Sequence, residues 1–132
     1  MLATLTCHRG DHLAVEYLVL HDGSCPVKTF LDSFTDPRSQ HGRERARVLY
    51  TVEKLSSMPP GRFLHEEAFK AVTDWDGLFE IKAYQMRVFC FYAPGKRLVL
   101  VDGVIKKKTK APRNMLDRSL AFRQEYLAQA PR

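Results

Sequence analysis

At 132 residues the chain is long enough for one domain with a buried core. Its 45% hydrophobic and 27% charged residues are ordinary for a globular protein, and no run approaches the roughly 20 apolar residues of a membrane helix. The net charge of +6 at pH 7 points to an anionic partner, whether RNA, DNA, an anionic surface or an acidic protein.

The remaining exclusions are chemical. Cys7, Cys25 and Cys90 form no CxxC pair. An odd count without a framework fits a reducing compartment. Met1 is followed by too short an apolar stretch, with no basic lead, for a secretory signal. A cytoplasmic protein is the expectation, with one domain spanning 1–132.

His12 to His21 (HLAVEYLVLH) is rich in Val, Leu and Tyr and reads as a first strand. Asp22-Gly23-Ser24 stops it, and Asp22 or Ser24 is placed to cap a helix that Pro26 opens and that runs to about Phe34. Thr35-Asp36-Pro37 breaks that helix. A longer one is expected over Arg38 to Met58, with Val48, Leu49, Val52 and Leu55 on its apolar face. Met58-Pro59-Pro60-Gly61 ends it. Arg62 to Asp76 reads as a polar loop with apolar touches at Phe63-Leu64 and Phe69 to Val72.

Strands follow at Leu78-Ala83, Met86-Tyr92 and Arg97-Ile105. Ala93-Pro94-Gly95-Lys96 is good hairpin chemistry, whereas the joint at Tyr84-Gln85 lacks Gly or Asn. Pro112 opens a last helix, Arg113 to about Gln129, with a face of Met115, Leu116, Leu120, Phe122, Tyr126 and Leu127. The order β-α-α-β-β-β-α predicts an α+β fold: a small antiparallel sheet with two helices in the N-terminal half and a C-terminal helix.

The charge is uneven. From Lys82 to Arg113 nine basic residues face one acidic residue, Asp102, which gives +8 and leaves −2 for the rest of a +6 chain. Lys82, Arg87, Lys106, Lys107, Lys108, Lys110 and Arg113 are set on or just beyond the strands. A small sheet with a concentrated positive field is a footprint for a polyanion. None of the five histidines falls in this stretch. His65-Glu66-Glu67 lacks the second ligand of an HExxH metal motif, and no metal or cofactor is expected.

Several pieces of the chain resemble RelE/HigB-like toxins of bacterial type II toxin–antitoxin systems, and more narrowly their phage-derived branch in the RelE/ParE superfamily. They are Asp22-Gly23-Ser24-Cys25-Pro26-Val27 leading to Phe30-Leu31, then Phe79-Glu80-Ile81-Lys82, then Arg87-Val88-Phe89, and the close Gly103-Val104-Ile105-Lys106-Lys107 followed by Pro112. Each is weak alone; their order and spacing carry the resemblance. It implies a RelE-like fold and a ribosome-associated endoribonuclease that cuts mRNA. It also implies a small antitoxin partner, of helix-turn-helix type. The chain has Asp102 where such proteins often have His, Lys82 where they often have Arg, and Ala111 where they often have Thr.

RNA cleavage of this kind needs a group to deprotonate the ribose 2′-OH, a group to stabilise the negative phosphorane, and a group to protonate the leaving 5′-oxygen. Arg87 suits the second task, since a guanidinium stays charged and forks two oxygens. Its structural alternative is an ion pair with Glu80 across the hairpin. Lys82 and Lys106 are the other catalytic candidates, Lys82 to hold phosphate or transfer a proton. Lys107, Lys108, Lys110 and Arg113 suit phosphate binding, and Tyr84 and Tyr92 suit base stacking or edge packing. Asp102 makes a poor general acid and is expected to neutralise Arg87 or Lys106. Two other functions fit the same residues: a ParE-like protein-binding inhibitor of DNA gyrase, and a phage-derived RNA-binding protein without catalysis, which Asp102 favours.

Overall fold

The computed structural model describes residues 1–59, 67–107 and 112–129. Six strands form one sheet in the order β1-β2-β6-β5-β4-β3. They are β1 (Ala3–Arg9), β2 (Ala14–Val19), β3 (Phe69–Ala71), β4 (Phe79–Ala83), β5 (Met86–Ala93) and β6 (Arg97–Ile105), with helices α1 (Pro26–Asp32), α2 (Gln40–Ser56) and α3 (Arg113–Gln129). The fold is α+β, as expected. β4, β5 and β6 are antiparallel neighbours, while β2 joins β6 in parallel. The sheet is therefore not wholly antiparallel: two helices and three strands separate β2 from β6, long enough for the crossover that parallel pairing needs.

β1 and β3 are additions to the sequence reading. β1 is an exposed edge whose Thr4 and Thr6 suit a strand but give little apolar alternation. β3 has three residues, and Lys82 N–H donates to Ala68 O just before it. The strand expected from His12 begins at Ala14, because the His12 and Leu13 amides donate to Ser56 O instead. Asp22 does not cap α1. Its Oδ1 accepts from Ser24 N and Oγ, closing the turn, and Cys25 stands at the cap position without a side-chain bond. α1 stops at Asp32, where Ser33 N–H turns back to Phe30 O. α2 is capped by Ser39, whose side chain accepts from Gly42 N at 2.9 Å.

The sheet separates two cores. On one face Val27 and Leu31 of α1 and Val48, Val52 and Leu55 of α2 pack on Ile81, Met86, Val88, Leu98 and Leu100. On the other, Leu116 and Tyr126 of α3 cover Phe89, Phe91, Val99 and Val101. Gly103 lets α1 sit directly on β6, for a Cβ there would lie 2.4 Å from the Phe30 ring. Arg97 ties the layers, with Nη1 donating to Glu16 Oε1 at 2.9 Å and to the Tyr126 hydroxyl at 2.5 Å. Among the described residues no helix is long and apolar enough to cross a membrane.

Candidate nucleic-acid interface

The β4–β5 hairpin sets the site. Its two-residue joint puts Tyr84 at φ 53°, the left-handed region that a Gly or Asn would occupy more easily. Glu44 of α2, 1% exposed, holds the turn by accepting Gln85 N–H at 2.7 Å; its other oxygen meets His41 Nδ1 at 2.5 Å. A carboxylate 41 residues away thus replaces local turn chemistry. This register places Lys82 directly opposite Arg87. Lys106 follows at the end of β6, its N–H bonded to Gln85 O. Alternation puts Glu80, Lys82, Arg87 and Lys106 on the sheet face that α3 covers only farther along.

Like charges directly opposite each other on a sheet repel. Here Lys82 and Arg87 are so placed, with Lys106 nearby. Lys70 of β3 adds a fourth cation, its Nζ 3.7 Å from Glu80 Oε1. The Lys106 ammonium is destabilised and its pKa falls below the ordinary lysine value. Burial is the main cause, Arg87 the next, with Lys70 and Lys82 adding to it and Glu80 opposing. Glu80, 8% exposed, is the carboxylate inside this group. Lys70 escaped the sequence reading because β3 was not visible, and Glu80 entered it only as an ion-pair partner for Arg87; the alternation of Phe69 with Lys70 was the available signal.

Arg87 is 8% exposed. It does not pair with Glu80, which lies opposite Phe89 and meets Lys70 instead. Its Nη1 donates to Tyr84 O at 2.5 Å and Met86 O at 3.0 Å, fastening the side chain to the hairpin turn. Its Nε is buried without a hydrogen-bond partner, and its Nη2 has no partner among the described residues.

Asp102 neutralises neither Arg87 nor Lys106. A bulge at Val101 sets Phe89 opposite Asp102 and Cys90 opposite Leu100. The Asp102 carboxylate then accepts its neighbour's Gly103 N–H at 2.8 Å and Arg118 Nη2 of α3 at 2.6 Å. It serves to dock the helix.

Lys82, Arg87 and Lys106 are thus brought together, and Tyr84, 77% exposed, stands at the turn beside them. Lys107 is exposed. Arg113 lies over the Trp75 ring at 5.5 Å. Tyr92 is on the opposite face, edge-on to Phe69 and Phe79. Lys108, Lys110, Ala111, His65 and Glu66 lie outside the described residues. Among the described residues no cluster of His, Cys, Asp and Glu could hold a metal ion.

A family model described as "Phage derived protein Gp49-like (DUF891)" matches residues 34–123, more than half of the chain. No curated protein matches the sequence.

Proposed function

The chain belongs to the Gp49-like family of phage-derived proteins, and from that premise we propose that it is the toxin of a type II toxin–antitoxin pair, an endoribonuclease that cuts mRNA on the ribosome. The family is associated with RelE-like toxins. The observation that carries the reading is the direct opposition of Lys82 and Arg87, with Lys70 and Lys106 beside them and Glu80 as the enclosed carboxylate. Such a grouping is stabilised by an anion.

In the reaction the ribose 2′-oxygen attacks the adjacent phosphorus and the bond to the 5′-oxygen breaks, leaving a 2′,3′-cyclic phosphate and a 5′-hydroxyl. Glu80 takes the proton of the 2′-OH. Lys82 and the free edge of the Arg87 guanidinium hold the phosphate as it gains charge. Lys106 releases its proton more readily than an ordinary lysine and gives it to the departing 5′-oxygen. Lys107 adds a phosphate contact. The partners are mRNA, the ribosome and a small helix-turn-helix antitoxin.

The test is mRNA cleavage on translating ribosomes by the wild-type protein and by Lys82→Gln and Lys106→Gln. Each variant should lose on the order of 10²-fold in rate while staying folded. A second reading, an RNA-binding protein without catalysis, is favoured by the commitment of Asp102 to Arg118 and of Arg87 Nη1 to backbone. Ribosome or RNA binding with no cleavage by the wild type would select it.

A further inference from the structure

Beyond the cation group, α2 carries a second basic surface. Arg43, Arg47, Tyr50 and Lys54 are exposed and recur at i, i+4, i+7 and i+11, one stripe about 16 Å long. Between this stripe and the β4–β5 turn lies a groove of about 710 Å³ whose lining includes Arg47, Tyr50, Lys54, Lys82 and Tyr84. A second hollow of about 490 Å³ continues it past Arg43, again bounded by Arg47 and Tyr84. Lys82 belongs both to this groove and to the cations acting on Lys106, so the two surfaces meet there.

Two features define the occupant. Arg47, Lys54 and Lys82 have no carboxylate partner among the described residues; of the described carboxylates on the lining, Glu44 is buried and committed to the turn, leaving Glu67. Tyr50 and Tyr84, 47% and 77% exposed, are two of four large hydrophobic side chains so exposed among the described residues, and both border the groove. Lys54 Nζ stands over the Tyr50 ring at 5.4 Å. Cations alone would suit any polyanion. Cations alternating with exposed rings suit unpaired bases, whose faces stack while the phosphates meet the charges.

We propose that this groove binds single-stranded RNA, as a track that carries the flank of the substrate strand from the Lys82–Arg87–Lys106 group round the hairpin turn and along α2. The inference rests on the endoribonuclease reading for the strand's identity.

The test is binding of unstructured RNA oligonucleotides of about 4 and about 16 nucleotides, by wild type, by Arg47→Gln/Lys54→Gln and by Tyr50→Ala, with thermal melting of each. The wild type should bind the long strand more tightly than the short. The double variant should lose most of that length advantage and about 1.4 from the salt slope, at about 0.7 per phosphate contact. Tyr50→Ala should lose about tenfold on the long strand. A length advantage that survives in folded variants overturns the track and leaves the cleavage reading standing. Equal wild-type affinity for both lengths also overturns it. Wild-type binding to neither strand overturns the track, and cleavage on ribosomes then decides the enzyme separately. Loss of affinity for an acidic protein, with the RNA length advantage intact, assigns the groove to that partner and overturns the proposal.

Discussion

Arg87 holds its own turn as well as facing the site, and the two tasks separate by measurement. Arg87→Ala removes the side-chain donor to the Tyr84 and Met86 carbonyls, which should cost about 1–3 kcal/mol in unfolding free energy. Arg87→Lys keeps a charge but loses the fork, so RNA binding should persist while cutting slows. Melting temperature and cleavage rate on the same samples distinguish them: rates that fall only as far as the folded fraction falls would make Arg87 purely structural. Lys106 gives a pH prediction. Its pKa is lowered by burial and then by Arg87, with Glu80 opposing. In side-chain NMR titrations Arg87→Gln should raise it and Glu80→Gln should lower it further. As a general acid Lys106 must be protonated, so cleavage should decline as pH rises through this lowered pKa. A rate that keeps rising past it would remove Lys106 from that role.

The elements show where a sequence stops being legible. β5, β6 and α3 were readable because long apolar runs, the Pro94-Gly95 turn and the Pro112 start each speak locally. The Tyr84-Gln85 turn was not, because its support is Glu44, on another element. Glu44→Ala should therefore destabilise the protein by about 1–3 kcal/mol and speed amide exchange at Gln85 more than at the β5–β6 turn; equal exchange at both would deny Glu44 this role. The Gly103 of the closing motif was legible as a motif but not as packing. Gly103→Ala would drive a methyl into the Phe30 ring, and unfolding should show a cost of about 1–3 kcal/mol. The role of Asp102 was hidden for a similar reason: only the bulge at Val101 and the position of Arg118 turn it toward α3.

Across the whole molecule the basic stretch divides. Arg97 is spent tying β2 and β6 to α3, and Arg113 lies on Trp75. Lys82, Arg87 and Lys106 converge with Lys70 toward the β4–β5 turn. Net charge in the sequence thus marked the stretch in which Lys82, Arg87 and Lys106 come together but could not sort anchoring cations from converging ones, which only strand register decides. The salt dependence of ribosome binding should reflect that division. Lys106→Gln/Lys107→Gln should reduce the single-strand slope by about 0.7 per lost phosphate contact, and an unchanged slope would return both lysines to a solvated face. The most direct test is induction of the wild-type protein and of Lys106→Gln in bacterial cells at matched folded levels, with primer-extension mapping of mRNA 5′ ends. New ends inside translated regions with the wild type, lost or strongly reduced with the variant, are the predicted result. No new ends with the wild type, or the same ends at the same strength with both, would contradict the assignment of this cation group as a ribonuclease site.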